Sequence, residues 1–240
     1  MTEIKYKTML NSRSVKSTAS LGVCFLALIV AGCSSSKSPN FYSLSPQVST
    51  NLSSQQKVRM IEVLPVGLSD RLNRIPLVLQ SEGGQSSVLF DDRWTSTLSA
   101  ELRDSLSARL QQKLGAVDRY NSGMTGGQAA YRIAVDFSNF DFVERSDKQL
   151  QVLMNATWTA RYDDPKRPLS SPQNAQTMPR NQQISCRMSL SQTVQPQSKK
   201  LVGLVNTSQT VLDQLSQSIA LSITQLESQN KQPISGVSCS

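Results

Sequence analysis

Four cysteines are the most reactive side chains in this 240-residue chain, and no histidine accompanies them. Without histidine there is no His-based catalytic triad, no His-ligated zinc or haem and no imidazole base to activate a thiol. Cys24, Cys33, Cys186 and Cys239 are too few and too scattered for an all-cysteine zinc site. Two carboxylate pairs, Asp91-Asp92 and Asp163-Asp164, have the residue types for acid–base work, but their settings read as a helix cap and a turn. There is no G-x-S-x-G elbow, no P-loop and no G-x-G-x-x-G. No metal site and no cofactor are expected. A Ser-Lys or two-carboxylate hydrolase is the enzymatic alternative.

The chemistry that the spacing does support is at Cys33. Lys5, Lys7, Arg13 and Lys16 outweigh Glu3 ahead of residues 21–32, a run of 12 uncharged and mostly apolar residues. A basic head before a short apolar stretch reads as a secretory signal. It falls short of the roughly 20 residues that span a bilayer. Val30-Ala31-Gly32-Cys33 then has the form of a bacterial lipobox, in which the Cys33 thiol is lipidated and Cys33 becomes the mature N-terminus. An ordinary signal peptide with an incidental cysteine is the alternative. Several acyl chains, palmitate among them, hold a protein stably at a membrane, whereas one holds it marginally. Bacterial sorting retains lipoproteins with Asp after the cysteine in the inner membrane. Ser34 therefore points to the periplasmic leaflet of the outer membrane. Ser34-Ser35-Ser36-Lys37-Ser38-Pro39 reads as a short tether. The expected organisation is a removed signal at 1–32, a lipidated terminus and tether at 33–56, and one periplasmic domain at 57–240.

Removing residues 1–32 takes four of the 25 basic and one of the 17 acidic residues, leaving a net charge of +5 rather than +8. Aromatic residues make up 5% of the chain, too few for a base-stacking surface, and nucleic acid is not an expected partner. Cys186 and Cys239 are the two cysteines that neither signal removal nor lipidation consumes. In an oxidising compartment two such residues pair, or they stay as unpaired thiols. A Cys186–Cys239 bridge closing a loop of roughly 54 residues stabilises by about 4 kcal/mol in the chain-entropy model.

The elements that must position these residues follow from periodicity. Residues 57–66 are β-rich up to Pro65 and Gly67, and 75–80 and 87–90 form two short strands around Gly83-Gly84. Trp94, Leu98, Leu102, Leu106, Leu110 and Leu114 recur every four residues, predicting a helix capped by Asp91 or Asp92 and stopped at Gly115. Alternation predicts strands over 131–142, with a bulge at Ser138-Asn139, and over 150–162, joined by a turn at 145–148. The proline-rich stretch 163–181 is a loop, 184–194 is one more strand, and 206–229 is a second amphipathic helix capped at Asn206 or Thr207. The fold class is α+β: a single domain with a mixed, mostly antiparallel sheet and two amphipathic helices on one face.

Several of these stretches, in order, resemble a known family. Phe41-Tyr42-Ser43-Leu44 follows closely on the lipobox. Ile61-Glu62-Val63-Leu64-Pro65-Val66-Gly67-Leu68-Ser69-Asp70-Arg71-Leu72-Asn73-Arg74 then runs from a strand into a turn. Arg93-Trp94 opens the leucine-rich helix, and Ala156 precedes Trp158 by two residues. Together they resemble the PqiC/YmbA-type lipoproteins, auxiliary lipoprotein components of MCE-type envelope transport systems. The proline-rich loop and the Cys186/Cys239 pair are departures from that pattern. The resemblance implies a non-enzymatic, outer-membrane-anchored partner of an MCE-domain transport protein, helping to move phospholipid or other hydrophobic molecules between membranes. A different envelope assembly or interaction lipoprotein, serving an outer-membrane or secretion complex, is the competing reading. Exposed strand edges leave a homo-oligomer open. Candidate surfaces for lipid are the Trp158/Tyr162 region, the 163–181 loop and any groove between helix and sheet, although both tryptophans also suit a core.

Overall fold

The computed structural model describes residues 38–46, 59–120, 128–164, 183–196, 199–228 and 232–240. The expected signal and lipobox, the proline-rich stretch from 165 and most of the glycine-rich stretch at 121–130 lie outside them. In chain order come β1 (Asn40–Tyr42), β2 (Arg59–Val63), β3 (Gly67–Leu68), β4 (Pro76–Ser81) and β5 (Ser86–Trp94). Helix α1 (Leu98–Leu114) and β6 (Ala116–Asp118) follow, then β7 (Ala130–Glu144), β8 (Leu150–Asp163) and β9 (Gln183–Thr193). Helix α2 (Lys200–Ser228) and β10 (Val237–Cys239) end the chain.

The long strand β7 organises the sheet. One of its edges pairs antiparallel with β8 along its whole length. The other is covered in succession by three short parallel strands, β2, β3 and β4. From β4 the sheet continues through β5 to β1, and from β8 through β9 to β10, while β6 flanks β2. Alternation makes one face apolar. Leu150, Val152, Met154, Ala156, Trp158 and Ala160 of β8 are all buried. On β7 the inward set is Tyr131, Ile133, Val135 and Phe137, then Phe140 and Phe142. The register shift between Phe137 and Asn139 adds the residue that returns the phenylalanines to the inner face. Both helices pack on that face, α1 over β2 and β6, α2 over β8 and β9, and they touch each other. The predicted α+β layer is the one observed.

Local boundaries differ in instructive places. The Asp91-Asp92 pair does not cap a helix. It lies within β5, because β1 pairs alongside Asp92, Arg93 and Trp94 and holds them extended. Arg93-Trp94 accordingly ends a strand, and α1 begins at Leu98 after Thr97. Asp163, read as part of a turn, is the last residue of β8, opposite Ala130. At the other end of α1, Gly115 caps the helix with φ 56° and donates its N–H to Gln111, as predicted. Helix α2 starts at Lys200, so Asn206 and Thr207 lie inside it rather than at its cap. Leu204 and Val205 extend the apolar period upstream, and the Thr207 and Ser208 hydroxyls donate to the carbonyls four residues back, at 2.9 and 2.8 Å. Gly67 permits a close approach: a Cβ there would stand 2.1 Å from Asp136 Oδ2 on the paired strand β7.

Candidate functional site

Cys33 lies outside the described residues, but the chain that leads away from it enters the domain at β1, within the stretch expected to be tether. Parallel pairing sets Asn40 opposite Asp92, Phe41 opposite Arg93 and Tyr42 opposite Trp94. The Asp92 carboxylate accepts from Asn40 Nδ2 at 3.0 Å and from Tyr42 Oη at 3.1 Å. Burial, followed by that hydrogen bond, raises the Tyr42 phenol above its ordinary value.

Beyond β1 the chain drops into a polar socket. The Glu101 carboxylate, almost fully buried, accepts from Leu44 N at 2.9 Å, Ser43 Oγ at 3.0 Å, Ser96 Oγ at 3.2 Å and the Thr95 hydroxyl. The Leu44 carbonyl accepts from Ser105 Oγ at 2.9 Å and Arg109 Nη1 at 3.1 Å. The Ser43 carbonyl accepts from Gln209 Nε2 of α2 at 3.1 Å. Arg109 also donates to the Gln209 carbonyl at 3.2 Å, tying the socket across both helices. The Leu44 side chain is fully buried in the core. Burial lowers the Arg109 guanidinium from its ordinary value, and the nearby Asp213 carboxylate opposes that.

Two stripes of α1 explain the socket. Leu98, Leu102, Leu106 and Leu110 face the core. Glu101, Ser105 and Arg109, spaced by four on the adjoining face, take the incoming strap. Glu101 takes one backbone N–H and three hydroxyls, and Ser105 and Arg109 donate to the Leu44 carbonyl, so the arrangement grips the incoming segment. Sequence reasoning missed these residues. A buried Glu-Ser-Arg stripe looks like an ordinary solvated face until a second segment is known to cover it. A second buried network braces the same helix: Asp118 of β6 accepts from Arg103 Nη2 at 2.6 Å and Ser107 Oγ at 2.7 Å.

At the opposite edge of the sheet, β10 pairs with β9 and places Cys239 opposite Cys186. The structure joins the two by a disulfide, S–S 2.10 Å. Ser185 and Ser240 exchange backbone hydrogen bonds beside it. Trp158 is buried and donates Nε1–H to Ser222 Oγ at 3.1 Å, and Trp94 is buried as well. Both tryptophan side chains belong to the core. Among the described residues no helix is long and apolar enough to cross a membrane.

Residues 42–220 match the model of a family described as the ABC-type transport auxiliary lipoprotein component. The chain belongs to that family. The match opens at Tyr42, the last residue of β1, so the whole Ser43–Leu44 grip lies within this auxiliary lipoprotein's family region, while Cys239 lies beyond it. Among solved structures, a crystal structure titled only as an uncharacterized protein is 20% identical, with a TM-score of 0.55, covering 78% of this chain and 99% of its own. A Xanthomonas campestris protein of the family model DUF330 is 15% identical, with a TM-score of 0.53, covering 80% and 100%. At these identities the likeness is one of fold. No curated protein matches the chain.

Proposed function

We propose that this auxiliary lipoprotein is acylated on Cys33, held in the periplasmic leaflet of the outer membrane, and serves without catalysis as a docking component of an MCE-type intermembrane lipid transport system. In this reading residues 1–32 are the removed signal, 33–39 the tether and the rest one periplasmic domain closed by the Cys186–Cys239 bridge. The observation that carries it is the socket. A domain that grips its own chain eleven residues after Cys33 is built to be held close to an anchor. Family membership supplies the transport role. Ser34 supports the outer membrane, and the MCE partner comes from the sequence resemblance.

The test is purification of the lipidated protein from cross-linked envelopes in mild detergent, with Cys33→Ala alongside. Recovery of an MCE-domain protein with the wild type, and its loss with Cys33→Ala, is the expected result. Recovery of an unrelated outer-membrane or secretion complex with no MCE-domain protein would overturn the reading in favour of an assembly lipoprotein.

A further inference from the structure

Of the aromatic side chains described, the two most exposed sit at one corner of the sheet. Phe41 on β1 is 60% exposed and Phe90 on β5 is 66% exposed. Ile75, at the mouth of β4, is 44% exposed. The register brings them together. Phe41 lies opposite Arg93, and Arg93 opposite Pro76, which follows Ile75. Phe90 lies in the irregularity of β5 between Leu89, opposite Leu77, and Arg93. Ile75 is bonded through its carbonyl to Trp94 N–H at 2.8 Å. Adjacent strands are about 4.8 Å apart, so the three backbone positions lie within roughly 10–15 Å of one another.

This corner is also where the chain from Cys33 arrives. Seven Cα steps separate Cys33 from Asn40. Whatever path they take, they span at most about 25 Å. The socket around Ser43 and Leu44 stops β1 from swinging away. We propose that the Phe41–Phe90–Ile75 corner seats in the headgroup–acyl boundary of the phospholipid bilayer that carries the anchor. This rests on the anchoring reading above.

Physical scale favours a bilayer over a protein at this spot. A standard protein interface takes about 20–30 residues a side, whereas three apolar side chains suit a shallow wedge. A short tether holds the corner near the surface at roughly millimolar effective concentration, so contacts too weak to capture the protein from solution are enough. Arg74 and Arg93 flank the patch. Asp92 is engaged by Asn40 and Tyr42, and Asp91 stands exposed at the rim. The near balance of charge leaves the apolar side chains as the driving groups. The bilayer then sets an orientation, with the β1 edge towards the membrane and the disulfide-bearing β10 edge at the far end of the strand order.

Phe90→Cys and Phe41→Cys test this in the full, processed lipoprotein, where the other cysteines are acylated or bridged. Each is labelled with an environment-sensitive nitrobenzoxadiazole group and reconstituted on vesicles of phosphatidylethanolamine and phosphatidylglycerol. Leu221→Cys on α2, another exposed apolar site, is the control. The expected result is a blue shift at positions 41 and 90, with quenching by lipids brominated high in the acyl chain, at a depth of roughly 5–10 Å. Position 221 stays water-like. Water-like emission at 41 and 90 on vesicle-bound protein whose mass shows acylated Cys33 overturns the seat and leaves the anchor standing. A shift that appears only after an envelope protein is added assigns the corner to a protein and also overturns it. An unacylated Cys33 in the mass spectrum sinks the anchoring reading, and the seat with it.

Discussion

Glu101 is the residue on which the socket turns. Its carboxylate, almost fully buried, satisfies one backbone N–H and three hydroxyls. Truncation to alanine strands the buried Leu44 N–H, at a cost of about 1–3 kcal/mol, and removes the acceptor of three hydroxyls. Glu101→Ala is therefore expected to lower unfolding free energy by about 3 kcal/mol in a urea titration. Arg109→Met is expected to cost less. It removes a charge already penalised by burial, its replacement is apolar, and Ser105 Oγ still serves the Leu44 carbonyl. Equal effects from the two substitutions would mean that the carboxylate is not the centre of the grip. The legibility of this site in the sequence is partial for a definable reason. Leu44 and the leucine stripe announce themselves by hydrophobicity. Glu101, Ser105 and Arg109 are types that are normally exposed, and only long-range contact makes them buried.

At the scale of elements, strands with strict alternation were readable, and so was the bulge that reverses parity at Ser138. The short strands β6 and β10 were not. Three residues carry no period, and their pairing with β2 and β9 is set by tertiary contact. The β10 pairing gives a direct measurement. Cys239→Ser is expected to lower stability by up to about 4 kcal/mol, since it removes a cross-link closing a long loop. Thermal melts of this variant and of reduced wild type should coincide below the oxidised wild type. An unchanged melt for either one contradicts a bridge holding β10. A second element contact is titratable. Lys200, the first residue of α2, donates to Glu144 at the end of β7 at 2.8 Å. That hydrogen bond, with the charges of Lys200 and Lys148, lowers the Glu144 carboxyl below its ordinary value despite some desolvation. A carboxyl depressed by folding stabilises above its unfolded pKa, and that contribution is lost as pH falls through the folded value. Lys200→Met should thus be slightly less stable than wild type near neutrality. The two urea midpoints should converge on acidification below the ordinary carboxylate range, and a gap that persists in acid would show that packing, not charge, holds the helix start.

For the molecule as a whole, the socket predicts where the domain begins. The buried core runs from Leu44 to Ile223, and β1 and the strap are its first contributors. A chain starting at Pro39 keeps Leu44, the β1 pairing and every bond to Glu101, Ser105, Arg109 and Gln209. A chain starting at Pro46 loses Leu44, the β1 pairing and the bonds that residues 43 and 44 make to Glu101, Ser105, Arg109 and Gln209. Emptying the Leu44 site costs about 2–5 kcal/mol by analogy with large-to-small core changes. The hydrogen bonds made by residues 43 and 44 add roughly 1 kcal/mol each, and the buried Glu101 and Arg109 are left short of partners. The sum over the five such bonds and the Leu44 site, on the order of 7–10 kcal/mol, is comparable to the 5–15 kcal/mol that holds a typical domain together. For a domain of this size each kcal/mol moves the midpoint by roughly 2–4 °C. The Pro39 chain should therefore melt with the full-length Cys33→Ala protein. The Pro46 chain should melt at least roughly 10 °C lower or fail to fold. Adding a peptide of residues 39–46 in excess should restore part of the lost stability by mass action. Equal melting of the two truncations would show that the segment beside the anchor only lies against the domain, and the short mechanical link between membrane and fold would disappear with it.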